Sequence, residues 1–556
     1  MPLQPENSAN CMTIVIGRKA SATGRVILGH NEDDGGRFVV RHGYVPPRDH
    51  APSERLPCEE GRASIPQAPH TFGFYWAEVV GPKRGVSNSD LMLNDNGVCV
   101  VSDSSCGSRE DRPDAELLRE GGIEYNVRRI AAERARSARE GAELVCSLAE
   151  TWGYAPGGRL YILADERDAF VVQLMRGRRY LMARVPDDAV AAIPNHYVVR
   201  SRRDAEEVVF SPGLAAYAVE RGWATSEEAF DFYEAFQSRD HMNDPVNTLR
   251  QDYALRLLTG KTFDRARLPF AAAASRLLTV SDMIDALSCH YEGTPDDVRI
   301  GPGASPHNTG ITRVCRGSTI ESTIIEFAEN AKDITAWTAF GRPCQQLFLP
   351  LHPLCGTVDA VDRMDDPAAA LENHLSPSNR DVSWQRNGWQ AFRDFGNTAE
   401  FFHAECEDAL RAFRVRWHES FSRANRERSG RAPLFDAAAV ADAQAAMARF
   451  ADEHFRRVAV SVQRSGGRYA VSFNCPGTPL EDSLLFGMGC LNLRTQYAHA
   501  EPGSLAKTGD GRYTAAFDEA GVFCAGTGAG IFECFLGGTT ENGESFAGMA
   551  LIERAL

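Results

Sequence analysis

The stretch that most constrains the fold spans residues 11–34, where a cysteine and a group of polar residues flank a predicted β-hairpin. Two segments rich in valine and isoleucine, 12–17 and 25–29, are joined by a short turn of small polar residues and glycine, a pattern typical of antiparallel strands. Cys11 directly precedes the first strand, and the polar residues 30–34 directly follow the second. A hairpin brings these two ends together. The pattern therefore predicts a thiol and carboxylates at one end of a sheet, which indicates a nucleophile site.

The ten residues before Cys11 are interpreted as a removable leader. They are polar, contain two prolines and lack the apolar stretch that a secretory signal needs. Cleavage between Asn10 and Cys11 would leave Cys11 as the N-terminal residue, with its thiol as nucleophile and its own α-amine as general base. The ordinary pKa of an α-amine, about 7.7–8, suits proton transfer near neutral pH, and a thiol needs little further activation.

These residues resemble the start of the cysteine-type N-terminal-nucleophile (Ntn) dipeptidases, the group of bacterial dipeptidase A, with the secernins and the choloylglycine and penicillin V acylases as more distant relatives. The motifs are Cys-Met-Thr at 11–13, Gly-Arg-Lys-Ala at 17–20 and His-Asn-Glu-Asp at 30–33. The resemblance implies that Asp33 orients the amine of the nucleophile. It also implies that His30 lies beside the nucleophile, where the family has an arginine. A histidine can donate hydrogen bonds there, but it carries no permanent charge.

Two later stretches carry the same resemblance. They are Ala-Arg-Val-Pro-Asp-Asp at 183–188 with Pro-Asn-His at 194–196, and the Trp337 strand with Gly-Arg-Pro at 341–343. The resemblance implies that the amide of Asn195 lines the substrate or oxyanion pocket, while the residue alone is equally consistent with a turn or a cap. Where related acylases have an oxyanion asparagine, this chain has Ser102 and Asp103. An ionised aspartate cannot donate a hydrogen bond, so the oxyanion residues stay open.

The fold implied by the resemblance is α+β, an Ntn-hydrolase αββα sandwich with added helices and a C-terminal β-rich module. Predicted strand clusters alternate with helical hairpins, which agrees with such a layered architecture. The predicted division is a propeptide at 1–10, a catalytic domain at 11–365, a long helical extension at 366–457 and the β-rich module at 458–556.

Composition limits which partners and which cellular compartment we expect for this protein. The formal net charge of −15 argues against nucleic acid as the main partner, even though residues 381–428 carry a basic stripe. No stretch of 18 apolar residues predicts a membrane span. The fourteen cysteines show neither paired CxxC spacing nor an export signal, so we expect reduced thiols in a cytoplasmic protein. No motif indicates a cofactor, no spacing indicates a metal site, and Cys344 is as consistent with a small buried thiol as with a functional one.

The predicted function is amide or peptide hydrolysis through a thioester on Cys11, with Asp33, His30 and Asn195 as the other catalytic residues. The resemblance implies dipeptide substrates; a small molecule or dipeptide is therefore the expected partner, and the oligomeric state stays open, with a homo-oligomer among the options. Three alternatives remain. The first is an amidase acting on an N-acyl or specialised-metabolite substrate. The second is an acyltransferase. The third is an unprocessed, non-enzymatic binding protein similar to the secernins.

Overall fold

The computed structural model describes most of the chain, in twelve ranges. These are residues 11–33, 39–56, 61–80, 88–104, 107–124, 126–299, 304–308, 312–355, 388–428, 432–487, 497–523 and 530–554. Within them the protein is α+β, with all sheet pairs antiparallel. No helix in these ranges is long and apolar enough to cross a membrane. The predicted leader, 1–10, and all of residues 356–387 lie outside them.

Twenty-seven strands occur in the described ranges. The first nineteen are β1 (Met12–Ile16), β2 (Ile27–Asp33), β3 (Val39–Val45), β4 (Arg48–Asp49), β5 (Arg55–Leu56), β6 (Ile65–Pro66), β7 (His70–Thr71), β8 (Phe74–Val80), β9 (Asn88–Asn94), β10 (Cys99–Ser104), β11 (Tyr154–Ala164), β12 (Ala169–Gly177), β13 (Tyr180–Arg184), β14 (Ala189–Ile193), β15 (Val208–Phe210), β16 (Ala271–Ala273), β17 (Thr319–Glu326), β18 (Thr335–Ala339) and β19 (Leu349–Leu351). The C-terminal strands are β20 (Val460–Ser465), β21 (Arg468–Phe473), β22 (Leu485–Gly487), β23 (Ala498–His499), β24 (Ala506–Lys507), β25 (Tyr513–Asp518), β26 (Gly530–Thr539) and β27 (Ser545–Arg554).

Eleven α-helices occur in the same ranges. They are α1 (Asp114–Leu117), α2 (Val127–Arg134), α3 (Ala138–Trp152), α4 (Leu214–Glu220), α5 (Phe232–Phe236), α6 (Pro245–Thr259), α7 (Val280–Leu287), α8 (Gly388–Ala399), α9 (His403–Glu427), α10 (Ala432–His454) and α11 (Glu519–Val522). Helices α2 and α3 both lie within residues 122–152, where apolar residues recur at helical spacing. They are separate because Ser137 caps a new helix, its side chain accepting from the Glu140 amide.

Two large sheets form the centre of the molecule. One has seven strands in the order β16-β14-β1-β2-β17-β18-β19, and the other has eight in the order β15-β13-β12-β11-β10-β9-β8-β3. Apolar side chains of both sheets form one shared core, which includes Val15 of β1 together with Leu160 and Ile162 of β11. The alternate residues of β11, Tyr161 and Leu163, face a second core with α2 and α3. Strands buried on both faces are hydrophobic throughout, which explains the unbroken apolar runs in the sequence.

The predicted β1–β2 hairpin is present, but its second strand is longer than predicted. It runs over Ile27–Asp33 instead of 25–29, so the polar residues His30, Glu32 and Asp33 lie inside the strand and not after it. The physical reason is that β2 is central: it pairs with β1 on one side and with β17 on the other. Two ladders of backbone hydrogen bonds override the low strand propensity of asparagine and aspartate.

The two faces of β2 look toward different layers. Gly29 faces α7, because a Cβ atom at this position would lie 2.5 Å from the sulfur of Met283. Asn31 lies on the same face and donates to the Leu287 carbonyl at the end of α7. Successive side chains alternate across a strand, so His30 and Glu32 face the second sheet.

Helices α9 and α10 pack against β19, and α8 packs against α10. The three helices share the apolar core of the two large sheets, through Phe395 of α8 and Phe413 of α9. Strands β20–β27 form two four-stranded sheets around a core of their own. Gly537 of β26 lies directly against Phe401, at the junction with the helices. Residues 526–530 read Gly-Thr-Gly-Ala-Gly in the sequence, and only Gly530 of them lies within the described residues.

Candidate active site

Cys11 lies at the N-terminal end of β1, between the two large sheets and close to the acidic residues of β2. The β1–β2 register pairs Met12 with Asn31, which puts Cys11 beside Glu32. The Cys11 residue is 5% exposed, and its Sγ donates to Glu32 Oε2 at 3.7 Å. The thiol is thus held in a nearly water-free site with a carboxylate as its neighbour.

His30 belongs to the same face as the thiol. The Thr13 hydroxyl donates to Asp103 Oδ2 at 2.6 Å and lies 2.8 Å from His30 Nδ1. A hydroxyl has a single proton, so Nδ1 of His30 must be the donor in the second contact. The other ring nitrogen, Nε2, lies 3.6 Å from Glu32 Oε2. The ligating atoms of Cys11, His30 and Asp103 all lie within 4.8 Å of one another.

Asp33 lies on the opposite face of β2, toward α6. It is fully buried and accepts from the Thr319 hydroxyl at 2.5 Å. Its second carboxylate oxygen lies 4.0 Å from the guanidinium groups of both Arg250 and Arg316. Burial raises the pKa of the Asp33 carboxyl to about 6, although Arg316, the Thr319 hydroxyl and Arg250 each act to lower it. This carboxyl therefore exchanges a proton in the same pH range as a histidine.

Arg250 of α6 joins the two faces. One guanidinium nitrogen donates to the carbonyl oxygen of Cys11 at 3.0 Å, and another donates to Asn195 Oδ1 at 2.7 Å and to Asn247 Oδ1 at 2.8 Å. Arg250 also lies near the buried carboxylate of Asp33. One side chain therefore contacts the backbone of Cys11 and the amide of Asn195 and lies beside Asp33.

Asn195 has one side-chain atom that no described residue satisfies. It is fully buried just after β14, and its Oδ1 is turned toward Arg250, which settles the orientation of the amide. The Nδ2 group has no hydrogen-bond partner among the described residues, and the side chain caps no backbone group there. A buried donor without a partner costs about 1–3 kcal/mol of stability. Such a donor is typical of a group whose partner is a ligand.

Ser102 and Asp103 are separated by the pleat of β10. Asp103 faces the other large sheet and binds Thr13, whereas Ser102 faces the helices, where its hydroxyl accepts from Arg128 and Arg159. Ser102 therefore lies on the wrong face of β10 to meet a group bound at Cys11.

Arg250 and Thr13 are site residues that the sequence does not predict. Arg250 lies 239 residues after Cys11, in a helix without a motif, and only the fold brings them together. A second buried group, formed by His290, His307, Cys315 and Cys344, also has its ligating atoms within 4.8 Å of one another. No paired spacing in the sequence indicates this group.

Residues 10–383 match peptidase family C69, and they make up well over half of the 556-residue chain. The chain therefore belongs to peptidase family C69. The resemblance that the N-terminal motifs predict is confirmed at the level of the family.

Individual relatives agree with this assignment. The chain is 23% identical over 374 residues to a probable dipeptidase of Latilactobacillus sakei, covering 65% of this chain and 78% of the relative. It is 24% identical over 363 residues to dipeptidase A of Lactobacillus helveticus, covering 62% and 75% of the two chains. Among solved structures, a mutant of the conjugated bile acid hydrolase from Clostridium perfringens aligns with 59% of this chain and 89% of its own, at 9% identity and a TM-score of 0.29.

Proposed function

We propose that this protein is a dipeptidase of the Ntn type, in which Cys11 becomes the N-terminal nucleophile once the bond between Asn10 and Cys11 is cleaved. Membership of peptidase family C69 supports the class of reaction, and relatives named dipeptidases support the substrate class. The observation that carries the proposal is the unsatisfied Nδ2 donor of Asn195, held by the same arginine that binds the Cys11 carbonyl.

The layered architecture supports the Ntn assignment. Two antiparallel sheets lie face to face, with α2 and α3 outside one and α6 and α7 outside the other. We assign this helix–sheet–sheet–helix order to the αββα sandwich of the Ntn hydrolases, with the nucleophile at the end of a central strand.

In the proposed reaction the Cys11 sulfur attacks the substrate carbonyl and the α-amine of Cys11 takes the thiol proton. The Asn195 amide donates to the oxyanion, a role worth about 10²–10³ in rate for one donor. The amine then passes its proton to the leaving amine, and water hydrolyses the thioester. Asp33 supports the charged amine from the α6 side of the sheet, and Arg250 fixes the backbone of the nucleophile.

Glu32 supports a substrate with a free amino terminus. Its carboxylate lies 3.7 Å from the Cys11 sulfur, beside a small cavity that Glu32, His30, Glu321 and Thr323 help to line. Glu321 is already paired with His42 at 2.7 Å, whereas the contacts of Glu32 with His30 and the thiol are both longer than 3.5 Å. We therefore propose that Glu32 pairs with the α-ammonium of a dipeptide, a cation that N-acyl substrates lack.

The intact mass of the purified protein tests the nucleophile. We expect the wild type to lose residues 1–10 and the Cys11→Ala variant to retain them. A leader retained in both would remove the free α-amine and with it this mechanism, and would favour the binding-protein alternative.

A matched substrate panel tests the dipeptide assignment. We expect turnover of free dipeptides, little turnover of the same dipeptides after N-acetylation, and a higher KM for the free forms in Glu32→Gln. Faster turnover of the acetylated forms would favour an amidase. A new amide product formed when amines are added would favour an acyltransferase.

A further inference from the structure

A second cluster of reactive side chains lies away from Cys11, and the proposed mechanism does not use it. It is built from four separate segments. His290 follows α7, His307 belongs to the 3₁₀ turn Pro306–Asn308, Cys315 precedes β17 and Cys344 follows β18. Both cysteines are buried, and the two histidine side chains are only 3% and 1% exposed. Four groups that bind metals well are thus enclosed together in the protein interior.

The distances within the cluster match the edges of a metal tetrahedron. His290 Nε2 and His307 Nε2 are 3.1 Å apart, and His307 Nε2 lies 3.5 Å from the Cys315 sulfur and 3.6 Å from the Cys344 sulfur. A tetrahedral zinc ion about 2.1 Å from nitrogen and about 2.3 Å from sulfur separates two nitrogens by about 3.4 Å, and a nitrogen from a sulfur by about 3.6 Å. The cluster therefore needs almost no rearrangement to hold such an ion.

Carboxylates hold both histidines in the orientation that a metal requires. His290 Nδ1 lies 2.9 Å from Glu292 Oε1, and His307 Nδ1 lies 2.6 Å from Glu400 Oε1. Each Nδ1 therefore carries a proton, and the two Nε2 atoms face each other. Carboxylate–histidine pairs of this kind accompany metal-bound histidines. Two lone pairs that face each other at 3.1 Å repel unless a proton or a cation lies between them.

We propose that His290, His307, Cys315 and Cys344 bind one structural zinc ion in a closed Cys₂His₂ site. Soft thiolates together with imidazoles select zinc over oxygen-seeking cations such as magnesium and calcium. Four protein ligands leave no open position for a substrate or water, which is typical of structural and not catalytic zinc. A catalytic Cys344–His307–Glu400 arrangement is the rival interpretation, but it leaves His290 and Cys315 without a role.

The proposed ion would join four segments that lie apart along the chain, next to hydrogen bonds that link them to the helices at 388–454. Cys315 precedes Arg316, whose guanidinium lies 4.0 Å from Asp33. Glu400, which orients His307, follows α8 and lies beyond residue 383, the end of the family match. It also accepts from Gln345 at 2.7 Å and pairs with Arg342 at 3.1 Å. The site would thus fix the helices at 388–454 to the segment before β17, whose Arg316 lies beside Asp33.

Elemental analysis of the full-length protein tests the site directly. After expression in zinc-supplemented medium and gel filtration in EDTA, we expect one zinc ion per chain by inductively coupled plasma mass spectrometry. X-ray absorption at the zinc edge should show two sulfur and two nitrogen ligands. Less than a tenth of an ion per chain, or a disulfide between Cys315 and Cys344 in the intact mass, would overturn the proposal. The wild-type measurement needs no variant to fold.

Variants locate the ion. Cys344→Ser and His307→Ala should lower the zinc content at least fivefold, whereas Cys355→Ser and Cys11→Ala should keep it, because Cys355 and Cys11 lie outside the cluster. Glu400→Gln should leave the four ligands in place but release zinc to a chelator faster than the wild type. Full zinc retention in both Cys344→Ser and His307→Ala would place the ion elsewhere and contradict the assignment.

Discussion

At the scale of single residues, the candidate site depends on side chains with one defined hydrogen-bonding direction. Thr13 has one proton and gives it to Asp103, so His30 must donate to Thr13. Asn195 has its oxygen bound by Arg250, so its nitrogen is the group available to a ligand. These constraints make the proposed roles separable by substitution.

Asn195→Ala is expected to lower kcat by about 10²–10³ with a much smaller change in KM, because it removes one donor to the oxyanion. Steady-state kinetics on a free dipeptide measures both constants. The control is the intact mass, which must show the same processed N-terminus as the wild type. A KM increase at unchanged kcat would instead assign Asn195 to ground-state binding.

Asp33 predicts an unusual pH dependence of stability. Its pKa is about 6 in the folded protein and near the ordinary value of 3.8 in the unfolded chain, so between these values the folded state holds the proton more tightly. The contribution of this group is therefore greatest below about pH 4 and is lost as pH rises to about 6, in total about 3 kcal/mol of the free energy of unfolding.

Urea unfolding from about pH 4 to about pH 7 measures this effect as the difference between the wild type and Asp33→Asn. We expect the wild type to lose stability relative to the variant as pH rises, with most of the change complete by about pH 6.5. A difference that stays constant over this range would show that Asp33 does not titrate there.

At the scale of elements, the β1–β2 hairpin and its contact with α7 decide where the reactive groups lie. The hairpin itself follows from the valine and isoleucine pattern, so the sequence predicts it. The extension of β2 through Asp33 does not follow from local propensity, because it depends on pairing with β17, which is distant along the chain. The same limit applies to Arg250 and Asn195, 55 residues apart, whose contact only the packing of α6 on the sheet creates.

Gly29 tests the fit of β2 against α7. A Cβ atom there would lie 2.5 Å from the sulfur of Met283 and 3.0 Å from a methyl group of Leu287. Gly29→Ala is expected to lower the free energy of unfolding by about 1–3 kcal/mol through overpacking. Thermal or urea unfolding gives the value.

The matched control for this prediction is the double variant Gly29→Ala, Met283→Ala. If the methionine is the obstacle, the double variant should be more stable than the sum of the two single changes predicts. Strict additivity would mean that the cost of the new methyl group arises elsewhere.

At the scale of the whole molecule, the helices at 388–454 belong to the core of the two large sheets, whereas β20–β27 have a core of their own. Composition and periodicity predict both regions as elements. They do not predict which core each region joins, because apolar helix faces do not specify their partner. The predicted domain boundaries, after residue 365 and after residue 457, remain predictions, because residues 356–387 lie outside the described ranges.

A chain that ends at residue 387 is expected to lose cooperative unfolding, because it exposes the core positions that Phe395 and Phe413 fill and removes Glu400 from His307. A chain that ends at 457 is the control and should still unfold cooperatively, at a lower temperature. Circular dichroism melts and gel filtration distinguish the two. A wild-type melting temperature for the shorter chain would show that the helices are dispensable for the fold.

The antiparallel register of β1 and β2 has a consequence for insertions and deletions. Met12 faces Asn31 and Ile16 faces Ile27, so the offset between Cys11 and Glu32 is counted in residue pairs from the turn. One residue added within either strand would carry every later side chain of that strand to the opposite face and separate the thiol from the carboxylate. Residues added in the turn between 17 and 26 would leave Cys11 beside Glu32. Length variation among relatives of this chain should therefore be tolerated before Cys11 and in this turn. It should be absent from β1 and β2.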